Sequence, residues 1–204
     1  VKIDKVTIFD KDGFQINREI KTSILKEGEV DKGLFDHFMQ KEIFEQPQAI
    51  RDTLESRITK NQVLVSSFGS NANKIFKMIK QVQIVGCGTS YHAGIVAKYW
   101  LEDIAKIPCN VEVASEYRYR NPIILNETLF ITLSQSGETA DTLEALKMVK
   151  KINSEINSLC ITNSIESSIS RISELVFLTH AGPEIGVAST KAFTSQLVAL
   201  ALLT

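Results

Sequence analysis

From residue 71 onward, short apolar runs alternate with longer segments of helical periodicity, and this alternation limits the chain to few folds. Strands that are apolar on both faces are typical of a parallel sheet with helices on both sides. The sequence therefore predicts an α/β fold, a three-layer αβα sandwich around a parallel sheet of about five strands. The predicted strands are residues 82–85, 111–113, 129–133, 158–161 and 175–178. The predicted helices are residues 71–80, 90–104, 116–119, 139–152 and 167–172, with a last helix that starts near Ser189.

A β-hairpin is predicted near the start of the chain. Residues 6–9 and 14–17 have strand composition and flank a short turn of Asp, Lys and Gly. The polar residues 21–32 are typical of a linker. We therefore divide the chain into a hairpin and linker, residues 1–30, and an α/β domain, residues 31–204.

Two helices are predicted between the linker and the sheet. The first spans residues 34–45, and its candidate packing residues are Phe35, Phe38, Met39 and Phe44. Pro47 is expected to end this helix and to begin a second one that runs to Arg57, because proline lacks the amide hydrogen that a helix interior needs.

The segment Leu133-Ser134-Gln135-Ser136-Gly137-Glu138-Thr139 joins the third predicted strand to a helix. The first amides of a helix have no internal partner and carry partial positive charge, so they can bind an anion. Three hydroxyl side chains and the Gln135 amide add donors, and Gly137 allows close approach. Because the loop has no lysine, it favours a small phosphate monoester, such as a sugar phosphate, over a nucleoside triphosphate. We interpret Glu138 as a capping residue, since it would repel phosphate.

Two further loops follow strands and precede helices. Val85-Gly86-Cys87-Gly88-Thr89-Ser90 offers either donors to the same ligand or a glycine turn with a plain N-cap. In residues 182–191, Ser189 is the expected N-cap. The small residues around it could leave room for a ligand, or the loop could be a capped helix start that binds nothing. Lys191 is either a cation for the ligand or a residue that faces solvent. Ligands of parallel sheets bind at the carboxyl ends of strands, near a switch in strand order. We therefore expect these loops to face one crevice.

Composition and motif spacing count against several other functions. The net charge of −1 gives no footprint for nucleic acid or an anionic membrane, and no apolar stretch reaches the length of about 18 residues that a membrane span needs. A nucleotide-binding P-loop motif is missing from the sequence. A dinucleotide-binding domain is an alternative, but Tyr91 occupies the third glycine position of that fingerprint, and Glu116 follows the next strand later than the usual ribose-binding acid.

Isolated polar residues give weaker signals. Cys109 and Cys160 lie in apolar runs and are expected in the core, whereas Cys87 lies in a turn. Their spacing predicts free thiols, as in a reducing cytoplasm, and neither a zinc site nor a metal site with the three histidines. Arg118 and Arg120 follow a strand end, where they could attract anions or form a solvated face.

Several long motifs together resemble one known family. Residues 86–91, 133–142 and 184–194 are similar to the sugar-isomerase (SIS) module of the glucosamine-6-phosphate synthases, also called glutamine–fructose-6-phosphate aminotransferases. Residues 39–47 resemble the opening helix of the same module. The resemblance covers nearly the whole chain and implies a SIS-type, flavodoxin-like fold. It also implies that the α/β domain is the first SIS subdomain and that the hairpin is the end of a preceding glutaminase domain.

The resemblance implies a reaction and a set of binding residues. In the family, fructose 6-phosphate and glutamine give glucosamine 6-phosphate and glutamate. We expect no cofactor and no metal in this chain. By motif match, the phosphate would contact Ser134, Gln135, Ser136 and Thr139. The sugar would contact Cys87 through its backbone, Thr89, Ser90, Val187, Ala188 and Ser189. The resemblance further implies a cytoplasmic homodimer that binds neither nucleic acid nor membrane, with glutamine used only through the glutaminase domain.

The same resemblance indicates what this chain lacks. Val1 is not an initiator Met, and the apolar helical run 197–203 reaches Thr204 without a stop signal, so we expect a fragment of a longer protein. In the family, the second SIS subdomain supplies the Glu that moves a proton between sugar carbons. We therefore predict half of a sugar-phosphate site, no catalytic residue and no turnover. The alternative is a non-catalytic SIS sensor that binds a sugar phosphate and controls a regulator.

Overall fold

The computed structural model describes residues 6–19 and 31–204, which divide into two units after Asp31. The smaller unit contains the predicted hairpin, in which β1 (Ile8–Phe9) pairs antiparallel with β2 (Gln15–Ile16). The Asp10 carboxylate accepts hydrogen bonds from the amides of Asp12 and Phe14, both at 2.9 Å, and so closes the turn. Most of the predicted linker lies outside the described residues.

The larger unit is built on a five-stranded parallel sheet, as predicted. In space the strands follow the order β4-β3-β5-β6-β7, so the chain leaves β3 in one direction to form β4 and then crosses back to form β5. The strand order therefore reverses between β3 and β5, which is the topological switch point of the sheet. The strands are β3 (Gln81–Gly86), β4 (Cys109–Val113), β5 (Thr128–Leu133), β6 (Asn157–Thr162) and β7 (Leu175–Leu178).

Helices cover both faces of this sheet. Alternate residues point to opposite faces. Ile84 and Ile131 therefore pack in one core with the helices at residues 89–103 and 191–203, whereas Val85 and Phe130 pack in a second core with the helices at residues 114–117, 140–152 and 168–172. The first predicted helix of the sheet region, residues 71–80, is shorter than expected, and a 3₁₀ turn at Val65–Phe68 was not predicted. The helices are α1 (Phe38–Leu54), α2 (Ala72–Phe76), α3 (Thr89–Asp103), α4 (Ala114–Tyr117), α5 (Ala140–Ile152), α6 (Ser168–Ile172) and α7 (Lys191–Leu203).

The α1 helix corrects the prediction of two helices separated at Pro47. Pro47 cannot donate to the carbonyl of Ile43, but the side-chain amide of Gln46 donates to that carbonyl at 3.1 Å. The helix therefore continues through the proline. Two of its predicted packing residues are exposed, Met39 at 43% and Phe44 at 67%. Its buried residues are Glu42, Ala49 and Thr53, and the helix packs along α7.

The cysteines lie where the sequence predicts. Cys109 and Cys160 are buried, and burial raises the pKa of each thiol to about 12. Cys87 is half-buried, and all three thiols are free. In residues 6–19 and 31–204, every helix is too short or too polar to cross a membrane.

Candidate functional site

Two of the candidate loops start side by side at the switch point. Gly86, the last residue of β3, pairs with Leu133, the last residue of β5, so the chain leaves both strands at the same edge of the sheet. A Cβ atom at Gly86 would lie 3.2 Å from the Leu133 carbonyl oxygen and from the Ser90 Cβ atom. The glycine therefore lets the start of α3 approach the end of β5, which places residues 87–90 beside residues 134–139.

The loop from β5 to α5 is closed by its own hydroxyl groups. The Ser134 side chain is buried, and its Oγ accepts the Gly137 amide at 3.0 Å and lies 2.9 Å from the Thr139 Oγ1. Ser136 is exposed, and its Oγ accepts the Glu138 amide at 3.2 Å. Ser134 therefore shapes the turn, whereas Ser136 and Thr139 are accessible from outside, as is the half-buried Gln135.

The start of α5 is open to an anion. Leu143 is the first residue whose amide bonds back into this segment, to the Thr139 carbonyl at 2.9 Å. Within the described part of the chain, the amides of Ser136, Thr139, Ala140 and Asp141 have no protein acceptor. Unpaired amides at the start of a helix of 13 residues concentrate the positive end of the helix dipole. This is the physical requirement for holding a phosphate.

Two carboxylates near this helix start are engaged by other groups. Glu138 accepts the amide of Ser168 at 2.6 Å, so it caps α6 rather than α5, and the hydrogen bonds from Ser168 hold the pKa of Glu138 below its usual value. Asp141 lies 2.7 Å from the guanidinium of Arg118. The negative charges beside the open amides are therefore directed away or paired, which limits their repulsion of a bound anion.

The start of α3 is open in the same way. The His92 amide bonds to the Gly88 carbonyl at 3.3 Å, and among the described residues the amides of the three preceding helix positions have no acceptor. The first turn has no acidic residue. Thr89 is exposed, Ser90 is buried and Cys87 is half-buried. Two neighbouring helix starts, α3 and α5, thus present free donors at one sheet edge.

The loop from β7 to α7 differs from the prediction. Helix α7 starts at Lys191, and Ser189 is not its N-cap. The Glu184 carboxylate accepts the amides of Thr190 at 2.8 Å and Ala192 at 3.2 Å, and it also accepts the Ser189 hydroxyl at 2.9 Å. A charged carboxylate interacts more strongly with a helix start than a serine hydroxyl does, so it displaces the serine from that role.

Lys191 also departs from its prediction. Its side chain is buried rather than solvent-facing, at 4% exposure, and its Nζ lies 2.7 Å from the carboxylate of Glu45 in α1. The three predicted contact residues ahead of it remain accessible, because Val187 and Ala188 are exposed and Ser189 is half-buried. This loop can therefore offer side chains to a ligand, whereas part of its helix start is occupied.

Asn163 connects the β5–α5 loop to the β7–α7 loop, and the sequence reasoning missed it. Its backbone amide donates to the Gln135 carbonyl at 2.9 Å, and its side-chain Nδ2 donates to the Gly182 carbonyl at 2.7 Å. Its Oδ1 accepts the amide of Ala181 at 2.8 Å. A polar residue directly after β6, at the carboxyl edge of the sheet, was the available signal. Asn163 brings the β7–α7 loop to the edge of the sheet where residues 134–139 lie.

The doubly wound sheet with these loops at its carboxyl edge defines a class of protein. The SIS domain family model matches residues 75–204, and the chain belongs to the SIS domain family. This finding confirms the resemblance and the fold drawn from the sequence.

Particular relatives are glutamine–fructose-6-phosphate aminotransferases [isomerizing]. The chain is 55% identical over 206 residues to that of Pseudomonas putida, which covers 100% of this chain and 33% of the relative. It is 50% identical to that of Escherichia coli over 198 residues, which covers 97% of this chain and 32% of the relative. The C-terminal domain of glucosamine-fructose-6-phosphate aminotransferase from Francisella tularensis superposes with a TM-score of 0.81 at 49% identity, over 85% of this chain and 48% of that one. This chain therefore spans about a third of the length of the curated relatives it matches.

Proposed function

We propose that this chain is the first SIS subdomain of a glutamine–fructose-6-phosphate aminotransferase and forms the phosphate-binding half of its fructose 6-phosphate site. The proposal assigns residues 31–204 to the subdomain and residues 1–30 to the end of a preceding glutaminase domain. The relatives of 50–55% identity, which are glutamine–fructose-6-phosphate aminotransferases, support this assignment. The observation that carries the site is the open start of α5 beside β3.

The phosphate would lie on the α5 start. The amides of Ser136, Thr139 and Ala140 would donate to it, with the hydroxyls of Ser136 and Thr139 and the amide side chain of Gln135. Ser134 already accepts the Gly137 amide, so its own hydrogen can point to Thr139 and leave the Thr139 hydroxyl hydrogen for the ligand. Hydrogen bonds to a charged group are worth about 1.5–3 kcal/mol each, so a few of them, less ordering costs, correspond to dissociation constants from about millimolar to micromolar.

The sugar would extend from the phosphate between the other two loops. Thr89 and Ser90 at the start of α3, with the backbone near Cys87, would contact one side of it. Val187, Ala188 and Ser189 would contact the other side, because Asn163 ties their loop to the phosphate loop. Hydroxyl and backbone donors of this kind suit the hydroxyl groups of a sugar.

The chain alone would bind without turnover. Amination needs a source of ammonia, and isomerisation needs a group that transfers a proton between sugar carbons. The carboxylates of Glu138, Asp141 and Glu184 are held by the Ser168 amide, Arg118 and the start of α7, so none is free to act as that base. Glutamine use and proton transfer would belong to other parts of a longer protein.

We also propose a cytoplasmic homodimer. The three free thiols are typical of a reducing compartment. The exposed apolar side chains of Met39, Ile43 and Phe44 on α1 offer a surface that a second copy could cover. Light scattering after size-exclusion chromatography would give twice the chain mass if this is right and the chain mass if it is wrong.

Calorimetric titration with fructose 6-phosphate tests the binding site. We expect the chain to bind between micromolar and millimolar concentration, and Ser136→Ala to weaken binding about tenfold through loss of a hydrogen bond to a charged group. Ser154→Ala, an exposed serine in the turn between α5 and β6, is the matched control and should leave affinity unchanged. Formation of glucosamine 6-phosphate by the chain alone, or equal affinity of the Ser136 variant, would contradict the proposal.

A further inference from the structure

The middle of the β7–α7 loop is held by a side chain from outside the matched SIS segment. The Glu42 carboxylate, on α1, accepts the Ile185 amide at 2.6 Å and the Gly186 amide at 3.0 Å. Glu42 is 2% exposed, and α1 ends well before residue 75, where the family match begins. A buried carboxylate depends on its hydrogen bonds, because it has little water to replace them. The position of the loop is therefore coupled to Glu42.

The fit between the loop and α1 leaves no space for a side chain. A Cβ atom at Gly186 would lie 2.5 Å from the Glu42 Oε2 and 3.3 Å from the Met39 Cα. The first of these distances is shorter than any normal contact, so a larger residue would push the loop away from α1. The absence of a side chain at Gly186 is what lets its amide reach the carboxylate.

Two more contacts attach the start of α7 to the same stretch of α1. Lys191 pairs with Glu45 at 2.7 Å, and the Thr194 hydroxyl contacts the side chain of Gln46. These contacts and the Glu42 contact come from consecutive turns of one helix. Residues 187–189, which would contact the sugar, lie between Gly186 and Lys191, so both ends of this short segment are fixed on α1.

We infer that Glu42 is a positioning residue that sets the sugar-contacting segment, residues 187–189, against the ligand, an inference that rests on the proposed function. Glu42 acts through the backbone of Ile185 and Gly186. The phosphate loop is closed by contacts among Ser134, Gly137 and Thr139, and Asn163 ties it to the β7–α7 loop at residues 181–182, ahead of the part that Glu42 holds. Glu42 therefore controls recognition of the sugar and leaves recognition of the phosphate to α5.

Calorimetry with two ligands, fructose 6-phosphate and inorganic phosphate, separates these roles on the full chain. Glu42→Gln keeps the size of the side chain but replaces a charged acceptor with a neutral amide, one end of which is a donor facing donors. We expect affinity for fructose 6-phosphate to fall about tenfold, the scale of a charged hydrogen-bond loss, and affinity for inorganic phosphate to stay within about twofold. Glu55→Gln, an exposed glutamate at the end of the same helix, should change neither.

Gly186→Ala repeats the test from the loop side and keeps the carboxylate, so it also serves if Glu42→Gln fails to fold. It should produce the same selective loss. Unchanged fructose 6-phosphate affinity in the variants would overturn the positioning role, as would an equal loss for both ligands, which indicates general damage. A wild-type chain that binds no fructose 6-phosphate would instead overturn the proposed function, and the inference with it.

Discussion

The starts of α5 and α7 have similar local sequences but differ in whether their first amides are paired. Each follows a parallel strand and a loop rich in small and hydroxyl residues. At α5, the first amides have no acceptor in the described part of the chain. At α7, the Glu184 carboxylate accepts the amides of Thr190 and Ala192. One helix start is open to an anion from solution, and the other already holds an anion from its own chain.

This difference shows that a helix start becomes a phosphate site only if the chain keeps its own carboxylates away from it. Near α5 the chain does so twice. Glu138 turns to the start of α6, and Asp141 pairs with Arg118. At α7, Glu184 turns inward, and its loop is left with side-chain contacts for a ligand. In the proposed function, binding of the phosphate and positioning of the sugar therefore belong to different loops.

The largest expected effect is the loss of stability that Gly137→Ala causes by disturbing the β5–α5 loop. Gly137 has a φ of +66°, and an added Cβ would lie 2.1 Å from the Ser167 Oγ. Left-handed strain and overpacking together should lower the free energy of unfolding by about 2–5 kcal/mol. Urea denaturation measures it.

Gly88→Ala is the control for that variant. Gly88 has a φ of +56°, but nothing lies within 4 Å of an added Cβ, so only the strain remains. Its ψ of −131° places it in a region that L residues rarely adopt, so its expected loss is about 1–3 kcal/mol, below that of Gly137→Ala. If the two variants were equally stable, the close packing of the α5 loop against Ser167 would be wrong.

Removing the carboxylate from α7 should cost the next largest amount. Glu184→Ala leaves the amides of Thr190 and Ala192 unpaired, and loss of a helix cap lowers the free energy of unfolding by about 0.5–2 kcal/mol. Glu155→Ala, at an exposed glutamate whose side chain caps no helix, should lie within about 0.5 kcal/mol of the wild type. Equal thermal or chemical stability of the two variants would mean that Glu184 does not cap α7.

Inorganic phosphate provides the direct comparison of the two helix starts. Ser136→Ala should weaken phosphate binding about tenfold, because a hydrogen bond to the anion is lost. Ser189→Ala should leave it unchanged, because the Ser189 hydroxyl donates to Glu184. Calorimetry gives both constants. An equal loss of phosphate affinity in the two serine variants would contradict the assignment of phosphate binding to the start of α5 alone.

The smallest expected effect concerns the Arg118–Asp141 pair. Arg118→Ala leaves the Asp141 charge unpaired beside the phosphate, and the effect of an exposed ion pair of this kind is small and weakens further at high salt. Phosphate affinity should fall about two- to fivefold at low ionic strength. Adding Asp141→Asn should restore it. A double variant that binds as weakly as Arg118→Ala would show that Arg118 acts on phosphate directly.

The sequence predicts the central strands well because β5 and β6 are buried on both faces. Thr128–Leu133, for example, is buried at every position, so a continuous apolar pattern marks it. The helix through Pro47 was missed because a side chain of the neighbouring Gln46 replaces the lost backbone bond. Local patterns carry no sign of such a substitution.

The candidate site was predicted in part. Hydroxyl and glycine residues after β3 and β5 were visible as motifs, and the parallel sheet brings them together. The contacts that decide which loop is open were not visible, because Glu42 reaches Ile185 and Glu45 reaches Lys191 across most of the chain. A buried lysine or glutamate has no local signature that distinguishes it from an exposed one.

The central claim is that the phosphate of a sugar phosphate binds at the start of α5. Amide NMR shifts during titration with fructose 6-phosphate test it most directly. The largest shifts are predicted at Ser136, Thr139 and Ala140, with smaller shifts at Thr89 and Ser90. Saturable shifts confined to the start of α7, or none at the start of α5 at millimolar ligand, would contradict the account.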